Sequence, residues 1–442
     1  MKQLIIYIAI AAFGIQFVNS LQLTNMSSLF KLWGASNSSL PYLGLAAPML
    51  GLLIQPLIGQ ISDHTCSRFG KRKPYIFIFG LLGAAACGVL PFSCSLSFGI
   101  FLTWIVIAST NGAIESLRAL TGDIVADSQK AFAFSYQTVL SGLGAGLAVA
   151  LPYIFSFFLK SNESFLCNSI PKSIQLSFII GSLIIVICIF WAISKVNEKH
   201  SNYDKLFVEK RERENFWLII FFKELFNNIK NMPLVMQQFG LIQLLSWGGL
   251  YAMWVFFSLA ISEHIYHLPL KIGIGPHSDY VILLQKGTIT TNFYFSIYQF
   301  SSVIYALTLP FITKLFSEKN IHGFSLIMGS LGLILITYTY DFFAIISMVL
   351  IGIMWGSIMT LPYVIVTKGL PKSKMGVYLG LFNITITLPQ IVIALLLQPL
   401  FVHVFHENAI SIIRLSSFLI FISGALTLYW FSFKNKYYPK VS

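Results

Sequence analysis

Charged residues are scarce in this chain: they make up 10% of its 442 residues, against about 25% in an average soluble protein. A soluble protein of this length needs charge to cover its surface, so the scarcity excludes a soluble fold. Motifs for common catalytic chemistry are missing too, since the chain contains no G-x-S-x-G, H-E-x-x-H, Walker or G-x-G-x-x-G pattern. The sequence therefore argues against an enzyme.

Cysteine is equally rare, with five residues in the whole chain and no CxxC pair among them. This spacing excludes the usual zinc and redox motifs, so we expect neither a metal nor a cofactor. Only Cys94 and Cys167 are predicted to lie on one outer face of the membrane, which leaves a disulfide between them open.

Apolar residues dominate instead: they make up 56% of the chain and recur in runs of about 20 residues, enough for a helix to cross a bilayer. We therefore predict an all-α membrane protein with twelve transmembrane helices. The first run also resembles a signal peptide, but Gln16 and Gln22 suit a cavity-lining helix better. The predicted spans are 3–25, 42–62, 75–94, 99–121, 133–158, 173–194, 236–262, 291–314, 323–340, 343–367, 377–402 and 410–433.

One long polar segment divides these spans into six plus six. It is predicted to be a charged cytoplasmic linker, residues 195–234, between an N-terminal bundle, 1–194, and a C-terminal bundle, 235–442. Two six-helix bundles joined in this way are typical of the major facilitator fold, in which two halves rock about a site at the membrane midplane. Residues 271–290, which contain Gly273, Gly275 and Gly287, are predicted to form an outer loop.

The net charge of +13 would suggest a nucleic-acid partner in a soluble chain. Here most Lys and Arg residues fall in the loops on the same side as Lys2, which is the positive-inside pattern of membrane proteins. We therefore expect both termini in the cytoplasm, the chain in the plasma membrane or a bacterial inner membrane, and no nucleic-acid partner.

The loop after the second span carries a distinctive cluster of charges. An acid at a cytoplasmic helix end, such as Asp63, is opposed by its own helix dipole and needs cationic partners, for which Arg68 and Arg72 are candidates. We predict a cytoplasmic gate from these residues and Asp123. The alternative is a basic loop that only sets topology.

This loop resembles that of a known family. The superfamily pattern G-x-x-x-D-R-x-G-R-[RK] is interrupted here by four residues, 64–67, as in the sucrose and maltose proton symporters of plants, animals and bacteria. The resemblance covers nearly the whole chain. It includes Gly14-Ile15-Gln16-Phe17, Leu21-Gln22, Ala47-Pro48, Gln55-Pro56, Arg118-Ala119-Leu120, Asp123, Gln243, Trp254, Leu361-Pro362-Tyr363, Met375-Gly376-Val377-Tyr378, Asn383 and Pro389-Gln390.

The fourth predicted helix carries Ile107, Asn111, Glu115 and Arg118 on one face. An Arg inside a span is expensive, so Arg118 should face a cavity or a partner, either binding substrate or neutralising Glu115. In the resembling symporters an Asp eleven residues before this Arg takes part in proton coupling and binding. That position is Ile107 here, which leaves Glu115 as the candidate for proton coupling.

The seventh predicted helix carries aromatic and amide side chains at helical spacing, which are packing residues or a substrate-binding face. Aromatic rings stack on sugar rings while Gln and Asn bind the hydroxyls. Polar residues of other spans extend this cavity, or serve only to join helices. The predicted substrate-binding residues are Gln16, Gln55, Asn111, Arg118, Gln243, Trp247, Tyr251, Trp254, Asn383 and Gln390.

The resemblance implies a sugar:proton symporter for a sucrose- or maltose-type disaccharide or a related glycoside, acting as a monomer. The residues themselves favour weakly coupled or facilitated transport, because an isoleucine at position 107 cannot carry a proton. Two alternatives stay open: an uncoupled facilitator for a sugar or another polar solute, and a non-transporting sensor or scaffold on the same fold.

Overall fold

The computed structural model describes residues 2–63, 65, 67–159, 170–198, 234–269, 279–338, 342–368 and 375–433. These residues are mostly helical and include no β-strand, which confirms the predicted all-α class. Twelve long helices are present in the described ranges: α1 Lys2–Leu32, α2 Ala46–Asp63, α3 Lys73–Val89, α4 Leu96–Ile124, α5 Asp127–Phe158, α6 Lys172–Lys195, α7 Leu234–Tyr266, α8 Asp279–Ile312, α9 Glu318–Leu335, α10 Phe342–Lys368, α11 Met375–Pro399 and α12 Ala409–Phe433.

Eleven helices of the described residues are long and apolar enough to cross a membrane. Helix α9 is not among them, because its first turn, Glu318 to Asn320, is polar and lowers the average hydropathy. It nevertheless packs against α10 and α12. The chain is therefore a multi-pass membrane protein, whereas the count of twelve spans and the cytoplasmic position of the termini stay predictions.

Helix starts are fixed by local capping. The side chains of Ser95 and Ser317 accept backbone N–H groups in the first turns of α4 and α9, and Pro74 is the second residue of α3. Such residues satisfy or remove the N–H groups that the first turn of a helix leaves without partners. Polar residues next to apolar runs thus set where these helices begin.

Helix α8 begins well before its predicted span, so the expected outer loop is wrong over residues 279–290. Gly287, a loop residue in that expectation, lies inside the helix and packs against α7. A Cβ at this position would stand 2.8 Å from the Cβ of Ser262, too close for any larger residue. The glycine therefore permits close helix packing rather than a turn.

The helices pack as two groups. Helix α1 packs against α4, α5 and α6, and α3 packs against α4 and α6. In the second half, α7 and α9 both pack against α12, and α10 packs against α8. Most of the buried apolar residues form two clusters that follow these groups. We call the group formed by α1 to α6 the first bundle and the group formed by α7 to α12 the second bundle. The predicted boundaries at 194 and 235 stay predictions, because residues 199–233 lie outside the described ranges.

The two bundles meet along α5 and α8, with smaller contacts between α2 and α11 and between α1 and α7 or α8. Small residues make the main contact close. A Cβ at Gly142 of α5 would stand 2.5 Å from Val303 of α8, and one at Gly146 would stand 2.9 Å from Phe300. These glycines let the two bundles approach each other in the membrane.

Cys94, in the turn between α3 and α4, forms a disulfide bond. Cys167, the partner considered from the sequence, lies outside the described residues. Cys87 and Cys188 are free and buried. A disulfide in this turn fits a face exposed to an oxidising compartment, as expected for the outer side of the membrane.

Candidate functional site

A polar pair joins α2 and α4 at the middle of the first bundle. The Gln55 amide donates to the Asn111 side-chain oxygen at 2.8 Å, and the Asn111 amide donates to the Ile107 carbonyl at 2.9 Å. Ile107 itself is buried, with 1% of its surface exposed. The polar face of α4 therefore begins at Asn111, and Ile107 contributes its backbone oxygen rather than its side chain.

Farther along α4, Arg118 is exposed and Glu115 is half-buried. The described residues include no ion pair between them, so direct neutralisation does not occupy the Arg118 guanidinium. Arg118 instead interacts electrostatically with Glu115 and, across the space between the bundles, with Tyr363 of α10. This places the cation at the inner-facing part of the gap.

The second bundle supplies a polar pair opposite Arg118. The Tyr363 hydroxyl donates to the Asn383 side-chain oxygen at 3.1 Å, and Asn383 is exposed. Two other predicted residues satisfy their amides locally: Gln390 donates to the Ile386 carbonyl, and Gln16 donates to the Ser20 hydroxyl, both at 3.0 Å. In this conformation Asn383 is better placed than Gln390 to reach a ligand.

Four aromatic rings form a cluster in the second bundle, within the middle third of their helices. The Trp355 ring of α10 lies 5.7 Å from Trp247 and 5.4 Å from Trp254, both on α7, and 6.1 Å from Tyr298 on α8. Trp254 and Trp355 are half-buried, so part of each ring stays accessible. We call these four residues the aromatic cluster.

Sequence reasoning missed Tyr298 and Trp355. Trp355 carried the same signal as Trp247, since it is a tryptophan near the centre of a predicted span rather than at its interfacial end. Tyr298 carried no such signal, because its helix contains several tyrosines. Gly352 and Gly356 flank Trp355 and let α10 lie against the α8 backbone, with carbonyl oxygens 2.7–2.8 Å from where a Cβ would stand.

Several buried polar atoms have no hydrogen-bond partner among the described residues. They include the amide nitrogen of Gln243, the indole nitrogen of Trp247 and both amide atoms of Gln22. Leaving a buried donor without a partner is unfavourable, so such groups are suited to a ligand that brings its own acceptors. Gln22, which the sequence predicts to line a cavity, is fully buried on α1.

Tyr251, predicted to bind substrate, has its hydroxyl occupied. It donates to the Pro41 carbonyl at 2.6 Å, and its oxygen lies 2.6 Å from where a Cβ on Gly44 would stand. Pro41 and Gly44 belong to the short helix Leu40–Gly44 before α2. Tyr251 therefore joins the second bundle to the first, on the side predicted to be outer.

Further hydrogen bonds join the bundles on the same side. Asn25 and Asn292 exchange amide hydrogen bonds, Ser28 bonds Ser258 at 2.6 Å, and Tyr42 reaches Gln398 at 3.4 Å. These bonds lie in the halves of the helices that are predicted to face outward. Arg118 and Asn383 are exposed toward the opposite ends of their helices, which are the ends predicted to be cytoplasmic.

The predicted cytoplasmic gate is held within the first bundle. Arg72 is buried; its guanidinium pairs with Asp123 of α4 at 3.0 Å and donates to the Gly59 carbonyl and the Ser62 hydroxyl of α2. Lys71 also pairs with Asp123, at 3.3 Å. These contacts tie α2, α4 and the start of α3 together.

The other two gate residues are less informative. Arg68 is exposed, with its guanidinium over the ring of Phe69. The side chain of Asp63 lies outside the described residues. The role of all four residues in gating stays a prediction.

Sequence reasoning missed Glu198, which follows α6. Its carboxylate accepts the backbone N–H groups of Lys71, Arg72 and Lys73 at 3.0–3.3 Å, at the start of α3. An anion at a helix N-terminus meets unpartnered donors and the positive end of the dipole. Nothing in the sequence pairs Glu198 with this loop, because the two are far apart along the chain.

The described residues contain no group of three or more His, Cys, Asp or Glu that could hold a metal ion. The gap between the bundles offers hydrogen-bond donors, aromatic faces and one cation. This combination suits a polar, neutral or weakly acidic ligand with both hydroxyl groups and C–H faces.

Comparisons with known proteins agree with this architecture. The chain is 21% identical over 440 residues to a sucrose transport protein (SUC4) of Arabidopsis thaliana, with 89% of this chain and 83% of that protein covered. Among solved structures it is similar to the nucleoside transporter NupG, with a TM-score of 0.67 at 15% identity, covering 98% of this chain and all of the other.

A second solved structure is the xylose transporter XylE of E. coli in an inward open conformation, with a TM-score of 0.64 at 12% identity, covering 96% of this chain and 95% of that one. At these identities the structural likeness concerns the fold alone. The sequence model of the Major Facilitator Superfamily matches residues 8–394, most of the chain. The chain therefore belongs to the Major Facilitator Superfamily of membrane transporters.

Proposed function

We propose that this transporter moves a sugar, of the sucrose or maltose disaccharide type or a related glycoside, by alternating access. The observation that carries the proposal is the aromatic cluster, which lies in the middle third of its helices, as the Gln55–Asn111 pair does in the opposite bundle. Aromatic faces stack on the C–H faces of a pyranose, and amides and a guanidinium bind its hydroxyls. The similarity to sucrose transport proteins supports the same substrate class.

The binding residues we propose are Gln55, Asn111 and Arg118 from the first bundle, and Gln243, Trp247, Trp254, Tyr298, Trp355 and Asn383 from the second. Gln16, Tyr251 and Gln390 form hydrogen bonds within the protein in this conformation, so they would contact sugar only after rearrangement.

Proton coupling is the finer question. Ile107 occupies the position at which the resembling symporters carry an Asp, and its side chain is buried. Glu115, the candidate substitute, is half-buried and lies eight residues farther along α4, about 12 Å along the helix axis from position 107. We therefore propose transport that is uncoupled or weakly coupled to protons.

Counterflow in proteoliposomes tests the proposal, because exchange across the membrane needs no gradient. Vesicles loaded with unlabelled sucrose or maltose should accumulate the labelled sugar transiently, and vesicles without protein should not. Arg118→Ala protein reconstituted at the same density is the matched control and should lose exchange. Binding of labelled sugar without exchange would support a sensor instead, and neither binding nor exchange with either disaccharide would contradict the proposed substrate class.

A further inference from the structure

A buried cation closes the outer end of α1. Lys31 has 6% of its surface exposed, donates from its ammonium to the Ala35 carbonyl at 3.1 Å, and lies over the Tyr280 ring of α8 at 5.6 Å. The first bundle thus places a positive charge against a helix of the second bundle. The proposed sugar site does not use it.

The second bundle contributes two carboxylates that interact with Lys31. Glu263, in the last turn of α7, accepts the Ala409 backbone N–H at 2.9 Å through one oxygen, while its other oxygen has no partner among the described residues. Glu407 precedes α12. Lys31 interacts electrostatically with both acids, although neither is close enough for a direct ion pair in the described residues.

This arrangement matters because it spans the two bundles. Lys31 belongs to α1, whereas Glu263 and Glu407 belong to the second bundle, so opening the outer side must separate the charges. While the outer side is closed, the buried charge of Lys31 depends on the two half-buried carboxylates for compensation. Neutralising a carboxylate leaves Lys31 buried with less compensation and disfavours the closed state.

We propose that Lys31 and Glu263 form an outer lock, and that Glu263 is a proton-binding site whose protonation releases this lock and favours opening to the outside. The proposal rests on the alternating-access movement of the proposed function, but not on the identity of the sugar. Because the lock lies above the sugar site, its proton comes from and returns to the outer solution. External acid would therefore accelerate opening without driving accumulation.

The charged groups around Glu263 determine whether its protonation weakens or strengthens the lock. Lys31 of α1 faces it as a cation, Glu407 as a second anion, and Tyr280 of α8 as a neutral ring and hydroxyl. His264 and His267 are neighbours in the chain, and His264 interacts with Arg414 of α12. Since Glu263 is negative when the lock is closed, adding a proton removes the attraction for Lys31 and weakens the lock.

The test measures access to a position beneath the lock. Ser258 of α7 is buried and bonded to Ser28 of α1, five residues inside Glu263. Full-length protein carrying Ser258→Cys, in the plasma membrane of intact host cells, is pulsed from outside with a membrane-impermeant maleimide. Ser36→Cys, on the exposed outer turn, serves as the matched control because it reports surface density and the pH dependence of the thiol reaction itself.

We expect the ratio of labelling at Ser258→Cys to that at Ser36→Cys to rise several-fold when external pH is lowered from about 7.5 to about 5.5. Glu263→Gln should raise the ratio at the higher pH and remove the pH dependence. Lys31→Met should also raise it, and Glu263→Asp should keep the pH dependence if Glu263→Gln expresses poorly. Asp279→Asn, an exposed acid on the same face, should change nothing.

A pH dependence that survives Glu263→Gln would overturn the proposal and direct attention to His264 or His267. A ratio unaffected by both Glu263→Gln and Lys31→Met would also overturn it, because no lock would then exist. The labelling needs no sugar, so a failure of disaccharide counterflow leaves this result interpretable.

Discussion

The cost of a charge inside a membrane helix is the reason to assign Arg118 a binding role. A charged side chain inside a membrane helix is costly, up to roughly 2.5–3.5 kcal/mol at the helix centre on insertion scales, and the described residues give Arg118, toward the end of α4, no ion pair to offset this cost. Its charge instead faces Tyr363 across the gap between the bundles. A cation held there without a fixed partner is available to sugar hydroxyls.

Replacing Arg118 by Lys tests whether the shape of the guanidinium matters beyond its charge. Lysine keeps the cation but loses the planar fork that can donate two parallel hydrogen bonds. Counterflow should fall at least about tenfold, equivalent to roughly 1.4 kcal/mol. Initial rates of labelled disaccharide exchange at matched protein density would measure this. If exchange survives both Arg118→Lys and Arg118→Ala, the residue does not bind substrate.

Trp355→Ala tests the aromatic cluster. Removing this ring takes away a contact to Trp247, Trp254 and Tyr298 together with the face we propose for sugar stacking. We expect the apparent KM for counterflow to rise about tenfold, or roughly 1.4 kcal/mol, and Trp355→Phe to rise less because it keeps an aromatic face. Trp104→Ala, on an exposed position of α4, is the control. Equal effects of the two alanine variants would mean a general loss of stability.

At the scale of elements, the start of α3 is held by partners from three parts of the first bundle. Glu198 accepts three backbone N–H groups, Arg72 reaches α2 and α4, and Lys73 donates to the Val196 carbonyl at 2.8 Å. Gly70 has a φ of +103°, and a side chain there would run into Glu198. The ends of α2, α3, α4 and α6 that are predicted to be cytoplasmic should therefore move as a unit.

Glu198→Gln tests this anchor. The amide keeps the size of the side chain but replaces a carboxylate that accepts several N–H groups at a helix N-terminus, an interaction worth about 0.5–2 kcal/mol. We expect a lower melting temperature in detergent, read from aggregation on heating, with counterflow retained below that temperature. Glu318→Gln, in the first turn of α9 on the same side of the membrane, should melt close to the unmodified protein. An unchanged Glu198→Gln would show that the salt bridges to Asp123 suffice.

At the scale of the whole molecule, much of the architecture could be predicted because the bilayer restricts it. Apolar runs indicated the helices, and a loop pattern indicated the superfamily, which the match over residues 8–394 confirms. Helix ends were less predictable, as α8 shows, since Gly287 serves helix packing as well as it would serve a turn. Contacts between distant segments, such as Glu198 with α3 or Lys31 with Tyr280 of α8, leave no periodic signal in one sequence.

Some residues of the candidate site could likewise be predicted from the sequence, and others could not. Trp247, Trp254 and Arg118 stood out because tryptophan and arginine are unusual inside a span. Trp355 could have been found by the same argument, whereas Tyr298 depended on knowing which face of α8 meets α7 and α10. The hydrogen bond of Tyr251 to Pro41 could not be inferred, because it depends on the conformational state that the two bundles adopt.

Energy coupling also belongs to the whole molecule, because it links a proton site to the movement of both bundles. With Ile107 buried and Glu115 about 12 Å farther along α4, we expect the natural protein to equilibrate sugar without accumulating it under an imposed proton gradient. Ile107→Asp should introduce proton-driven uptake, and Ile107→Asn, similar in shape but unable to titrate, should not. Labelled disaccharide accumulation in proteoliposomes with an acidic exterior would measure this. Accumulation by the natural protein would contradict our mechanism, and its loss in Glu115→Gln would then place coupling at Glu115.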